Sequence, residues 1–188
     1  MQHKPIILAS RSPRRVELLS QLGFNSEVIP ADIDESVLPG EDPAVYVQRL
    51  AQAKAMAIAA QHAGRGLPIL AADTTVALGM DVLGKPADAA EAMHMLKRLS
   101  GTTHAVHTAV AVVQSGAVRC LLNSTMVEMM AVPEAVLAEY VASGEPMDKA
   151  GAYGIQGRAS AWIVRIAGSY SGVMGLPLYE TAQLLHAW

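Results

Sequence analysis

Pro68-Ile-Leu-Ala-Ala-Asp-Thr-Thr-Val-Ala-Leu78 is the stretch whose reading decides the fold. Its hydrophobicity is nearly continuous, which suits a central strand covered on both faces. Asp73-Thr74-Thr75 interrupts it. A carboxylate inside an apolar strand is costly unless it is paired, hydrated or metal-bound. Such a cost is often tolerated for function, so Asp73 is a candidate catalytic group. The alternative is a structural aspartate that bonds loop amides at the strand's end.

Working outward, Pro5 to Ala9 reads as a short buried strand. Ser12-Pro13 marks a helix start, with Ser12 as N-cap and Pro13 at the first helical position. Val16, Leu18, Leu19 and Leu22 give that helix an apolar face, and Gly23 stops it. Asn25 to Ile29 is a second strand, followed by an acidic loop with Asp32, Asp34, Glu35, Glu41 and Asp42. Asp42-Pro43 opens a long helix to about His62, with Val47, Leu50, Ala51, Ala55 and Ile58 on its apolar stripe. Asp88 to Leu99 is another amphipathic helix. Thr103 to Gln114 and Ala117 to Met129 form an antiparallel pair around Ser115-Gly116. Pro133 to Ser143 is a helix, Ala161 to Ile166 a strand, and Leu178 to Ala187 a final helix. Strands alternate with helices around an antiparallel excursion, which defines an α/β class with a mixed sheet.

At 188 residues the chain reads as one domain with room for two lobes. A 52% hydrophobic fraction supplies a core, and with aromatics at 4% that core is mainly Ala, Val, Leu, Ile and Met. The net charge of −3 argues against broad binding to nucleic acid or an anionic membrane. No stretch has the length to span a bilayer, and Ile6-Ile7-Leu8-Ala9 is too short for a signal-peptide core. The chain therefore reads as soluble and cytoplasmic. The single Cys120 excludes an intrachain disulfide and reads as a buried reduced thiol. None of the six histidines has a metal-ligand spacing, and His104 and His107 face opposite sides of a strand.

Several polar groups are unusual for their surroundings. Lys54 falls on the apolar stripe of the long helix, four residues from both Leu50 and Ile58. It either snorkels to the rim or faces a polar site. Ser10-Arg-Ser-Pro-Arg-Arg15 puts two hydroxyls and three cations after an apolar run. At a helix N-terminus, Arg14 and Arg15 suit an oligophosphate; a solvated basic turn is the alternative. Gly84-Lys-Pro86 offers Lys85 in a constrained turn. Glu35 belongs to an acidic loop that suits Mg²⁺, which commonly takes one or two carboxylates plus substrate phosphates, unless the loop is simply solvated. Lys149-Ala-Gly-Ala-Tyr-Gly-Ile-Gln-Gly157 reads as a glycine-rich loop. In it Gln156 can donate and accept at once, as a base edge with a carbonyl and an N–H requires. Tyr153 either packs on a ring or anchors the loop. Gly168-Ser-Tyr-Ser-Gly172 reads as a further tight loop. Neither glycine-rich region has P-loop spacing.

Taken together these segments resemble the Maf family of nucleotide pyrophosphatases. The resemblance runs through Ser10-x-Ser-Pro-Arg-Arg15, Ala71-Ala-Asp-Thr74, Gly84-Lys-Pro86, Leu99-Ser-Gly-x-x-His104, the Glu145–Gly157 segment and Val173-x-Gly-Leu-Pro177. It implies one domain over residues 1–188, with an elongated mixed sheet flanked by helices. Two lobes would enclose a cleft, as in the inosine-triphosphatase architecture. It also implies hydrolysis of a nucleoside triphosphate to a monophosphate and pyrophosphate, a divalent cation (Mg²⁺ or Mn²⁺), and a cytoplasmic homodimer. Carried onto matching positions, it implies Asp73 as the catalytic carboxylate. Ser10, Arg14, Arg15, Lys54 and Lys85 would hold phosphate, and Glu35 would join Asp73 on the metal.

Arg14, Thr74 and Gln156 match the selectivity set of the branch acting on dTTP and UTP. The branch acting on 7-methyl-GTP carries Trp, Gln and Glu there; a Trp face suits a cationic methylated base. Arg11 departs from the small residue expected after Ser10 and adds charge near the phosphate site. The mechanism so implied has Asp73 deprotonating a water that attacks the α-phosphorus. A non-catalytic nucleotide-binding regulator of division would use the same cleft without a base. A 7-methyl-GTP pyrophosphatase is a further alternative, and an RNA-binding protein is disfavoured by charge and by scarce aromatics.

Overall fold

The computed structural model describes residues 4–186. In chain order these form β1 (Lys4–Leu8), α1 (Pro13–Gln21), β2 (Phe24–Val28), α2 (Pro43–His62), β3 (Ile69–Leu78), β4 (Asp81–Leu83), α3 (Ala89–Leu99), β5 (Thr103–Gln114), β6 (Ala117–Met129), α4 (Glu134–Ala142), β7 (Ile163–Ala167), α5 (Tyr170–Met174) and α6 (Leu178–His186). One seven-stranded mixed sheet runs β2-β1-β3-β5-β6-β7, with β4 paired to β3. The pairing is parallel from β2 through β1 to β3 and antiparallel from β3 onward.

β3 is the central strand that its composition predicts. Side chains alternate across a strand, so odd and even residues enter different cores. Ile69 and Ala71 join Ile7, Ala109 and Ala111 beneath Val47, Ala51, Ala55 and Ile58 of α2. Leu70 and Ala72 pack with Ile6, Leu8, Leu18, Leu19 and Leu184 on the opposite face. Alanine meets alanine under α2, so the long helix lies close to the sheet. A third core gathers Val76, Val106 and Val127 with α3 and α4, and takes in Tyr140, Tyr153 and Trp162. Tyr140 and Trp162 meet edge to face at 5.0 Å. The long β5–β6 pair runs through the cores and so couples the two halves into one sheet.

Several expectations are corrected. Ser12 occupies the N-cap position of α1 without a side-chain cap; the Ser12 N–H instead donates to Ser10 Oγ at 3.1 Å. Residues 168–172 are not a plain loop. Ser169 caps α5 by accepting from Gly172 N–H, and Gly175 closes the helix at φ 109°. Two glycines in so short a span hide a helix from any propensity argument. The segment before β7 tightens into a 3₁₀ turn at Arg158–Trp162, so β7 begins at Ile163 rather than Ala161. The Lys149–Gly157 segment contains a 3₁₀ turn at Ala150–Ala152. Cys120 is half-buried on β6 rather than buried, and burial still pushes its thiol up to about 11. Ala187, the expected end of the last helix, lies outside the described residues. Among the described residues no helix is long and apolar enough to cross a membrane.

Candidate active site

The site opens where pairing along one edge of β3 breaks. β1 reaches β3 only at Ile69 and Leu70, and β4 takes up the edge again at Val76. Between them, residues 71–75 have no strand neighbour on that side. A cleft of about 660 Å³ fills the gap, and Ser10, Arg14, Arg15, Lys54, Asp73, Thr74, Lys85 and Gln156 all line it. Every predicted site residue is therefore at this cleft, Glu35 and Arg11 included.

The strand alternation turns Asp73 and Thr74 to opposite faces of the sheet. On the α2 face, Lys54 Nζ donates to Asp73 Oδ1 at 2.6 Å and lies 2.9 Å from Glu35 Oε1. The Lys54 and Asp73 side chains are only 11% and 9% exposed, whereas Glu35 is 53% exposed. A lysine on the apolar stripe of α2 is thus a buried partner for a buried carboxylate, and it does not snorkel. Burial holds the Asp73 carboxyl above the usual carboxylate range, with Lys54 opposing the shift. The Glu35 backbone is pinned by Tyr46, whose hydroxyl donates to its carbonyl at 2.9 Å.

Glu35 and Asp73 thus converge on the Lys54 ammonium at the cleft. Two carboxylates with open space beside them suit a hard dication that takes its remaining oxygens from water and phosphate. Among the described residues no group of three or more His, Cys, Asp or Glu forms a dedicated metal cage.

On the α1 face the contacts are of another kind. Arg15 Nε donates to Gly175 O at 2.7 Å, Nη1 to Ser10 Oγ at 3.3 Å, and Nη2 to Thr74 Oγ1 at 3.1 Å. Burial lowers the Arg15 pKa from its usual value, against the pull of Asp73. Thr108 is fully buried on β5 directly opposite Thr74, with its hydroxyl 3.0 Å from Thr74 Oγ1 and 2.8 Å from Gly172 O. Gly172 and Gly175, from the segment that the sequence marks as able to order the site, supply the accepting carbonyls, and Thr108, behind the cleft wall, is the supporting residue that sequence reasoning missed. Thr108 carried a signal, since a hydroxyl inside an apolar strand raises the same question as Asp73.

The glycine-rich segment forms the opposite wall. Gly151 adopts φ 68°, and a Cβ there would meet Val76 Cγ2 at 2.8 Å, so the chain turns tightly against β3 only with glycine. Tyr153 does not stack on the cleft; it is buried, its hydroxyl 2.6 Å from His104 Nε2, and it anchors the loop. Lys149 folds back to donate to Glu145 O and Asp148 Oδ1. Gln156 and Lys85 remain exposed at the mouth.

Cationic and hydroxyl groups beside a paired carboxylate define a cleft for a phosphorylated ligand in an α/β protein. The chain belongs to the Maf family: the Maf-like protein family matches residues 5–188. It is 53% identical over 193 residues to a dTTP/UTP pyrophosphatase of Ralstonia nicotianae, covering 97% of this chain and 93% of that one. It is 54% identical over 180 residues to a dTTP/UTP pyrophosphatase of Methylobacillus flagellatus, covering 96% and 90%. A third dTTP/UTP pyrophosphatase, from Cupriavidus metallidurans, is 54% identical over 96% of this chain and 94% of its own. A solved nucleoside-triphosphatase (dITP/XTP pyrophosphatase) of Mycobacterium abscessus aligns with TM-score 0.45 and 21% identity over 69% of this chain and 74% of its own. A likeness that slight carries no functional weight.

Proposed function

We propose that this protein is a nucleoside triphosphate pyrophosphatase that hydrolyses dTTP and UTP to the monophosphate and pyrophosphate. The observation that carries the reading is the buried Asp73–Lys54 pair with Glu35, set in one cleft with Ser10 and Arg15. Identity above 50% to relatives of that name supports the substrate class. We assign residues 1–188 to a single catalytic domain, acting in the cytoplasm as a homodimer.

In this reading Arg15, Ser10, Lys54, Lys85 and Arg14 hold the phosphates. Arginine forks suit phosphate oxygens, and lysines add mobile point charges. Glu35 and Asp73 would hold Mg²⁺ or Mn²⁺, whose charge neutralises phosphate oxygens when it is bound. Lys54 engages Asp73 Oδ1, so the proton of the attacking water goes to Oδ2. The water oxygen bonds to the α-phosphorus, the bond to the α–β bridging oxygen breaks, and pyrophosphate leaves. The cations stabilise the charge growing on that leaving group. Arg14, Thr74 and Gln156 select the base, with Gln156 pairing to O4 and N3–H of thymine or uracil.

Product analysis with dTTP, UTP, CTP, GTP and 7-methyl-GTP tests this directly. The expected products are pyrophosphate with dTMP or UMP. Release of single phosphate, or turnover confined to 7-methyl-GTP, would sink the assignment.

A further inference from the structure

We infer that Glu145, which does not itself line the cleft, is a positioning residue: its carboxylate braces the turn that carries Gln156 and so holds that amide where a base would meet it. The inference rests on the reading of Gln156 as a base-contacting residue.

Gln156 stands in a four-residue turn, Gly154-Ile-Gln-Gly157, closed by Gly157 N–H donating to Gly154 O at 3.1 Å. One bond is little support for a segment with glycine at both ends, because glycine loses the most backbone freedom on ordering. The turn is instead gripped at those two glycines. A Cβ on Gly154 would meet Lys149 Cδ at 2.8 Å, and a Cβ on Gly157 would collide with Glu145 Oε1. Both approaches therefore need glycine. The two gripping side chains are also joined, since Lys149 Nζ donates to Glu145 O at 2.6 Å.

Glu145 Oε1 accepts twice more. Arg158 N–H, just past the turn, donates to it at 3.1 Å, and the Tyr140 hydroxyl donates at 3.1 Å. Tyr140 is fully buried on α4 and packs edge to face on Trp162. Burial, and then Glu145, raise the Tyr140 pKa, so its hydroxyl keeps the proton it donates. The carboxylate thus ties an exposed turn to an aromatic pair in the core, and an ionised acceptor makes the stronger bonds. A hydrogen bond weakens once its heavy atoms drift beyond about 3.2 Å, so a turn free to wander would lose the base. Ser10 precedes α1, Arg15 lies on α1 and Lys54 on α2, so the phosphate groups do not depend on this brace. The effect of Glu145 should therefore be confined to the base.

The test is equilibrium binding of two probes, α,β-methylene-UTP and base-free pyrophosphate, each with Mg²⁺, to the full-length protein and its variants. Glu145→Ala should weaken the uridine analogue about 5-fold and leave pyrophosphate within about 2-fold. Glu145→Gln keeps an acceptor oxygen at the same reach and should restore most of the binding. Glu145→Ala combined with Gln156→Ala should bind the analogue no more weakly than Gln156→Ala alone, because the brace acts through that residue. Were Glu145→Ala not to fold by thermal melt, Glu145→Asp withdraws the carboxylate by one methylene and reads the same pair of constants. Unchanged binding of the analogue, equal weakening of both probes, or additive losses in the double variant would each overturn the inference. If Gln156→Ala by itself leaves the analogue unaffected, the base-reading role fails and this inference falls with it. Product analysis of the unmodified enzyme judges the reaction separately.

Discussion

Asp73 and Thr74 are neighbours in sequence, yet the two faces of β3 give them opposite kinds of surroundings. On the α2 face, three charged groups converge: Lys54 bonds Asp73 and pairs with the half-exposed Glu35. That cluster is held by charge and borders the open cleft. On the α1 face, Thr74 sits in a chain of neutral and guanidinium bonds that closes on backbone carbonyls. That network is complete without a ligand. The difference teaches how one strand gives adjacent residues two kinds of surroundings: a charged cluster at the cleft, and a hydroxyl network tied to backbone carbonyls. Period-2 alternation keeps them apart at adjacent positions.

The contrast between the two faces is broken most severely at Asp73. Asp73→Asn is expected to lower kcat by about 10²–10⁴-fold while nucleotide still binds. Near-normal turnover in that variant would remove Asp73 from the base role. Next comes Lys54. Lys54→Met strands a buried carboxylate and should cost about 3–5 kcal/mol of folding stability, by urea titration. Lys54→Met combined with Asp73→Asn should recover much of that loss, because the uncompensated charge is gone. A simple sum of the two single effects would mean that the pair is not coupled. Selectivity is the subtler probe: Gln156→Glu should reduce dTTP and UTP use about 10-fold relative to 7-methyl-GTP, and an unchanged ratio would exclude Gln156 from base reading.

Two pH experiments sharpen the contrast. A base must be ionised, and burial raises Asp73, so kcat/KM should fall with acid at a pH above the ordinary 3.8. An acid limb at or below that value would show that Asp73 is not the group titrating. The second concerns the anchor of the glycine-rich wall. Burial holds His104 down to about 4, against 6.5 in the unfolded chain. Between these values the unfolded chain binds a proton that the folded chain does not. Stability is therefore lost as pH falls through that window, by about 3 kcal/mol. His104→Asn should flatten that part of the urea-midpoint profile; a profile as steep as the parent's would remove His104 from the account.

Much of this was legible from residue types in order. Asp73 in an apolar strand and Lys54 on an apolar helical stripe each announced a conflict with their surroundings, and each conflict is resolved by the other at 2.6 Å. The boundaries of α2 and of the β5–β6 pair were equally legible, because Asp42-Pro43 and Ser115-Gly116 punctuate long periodic runs. What escaped was short or non-local. α5 contains a glycine and spans five residues, so its helicity depends on the Ser169 cap and on packing. β4 is three residues held by pairing with β3.

The sequence by itself determined the class of fold and singled out the charged groups in conflict with their surroundings, since these follow from hydrophobic periodicity and the cost of burying charge. Only the tertiary structure decided that the edge of β3 stays open from residue 71 to residue 75, and that Gly172 and Gly175 bring their carbonyls to Thr108 and Arg15. The physical reason is that these contacts join a side chain to a backbone carbonyl more than sixty positions away. A carbonyl is the same in every residue, so no side-chain pattern marks which one will be used.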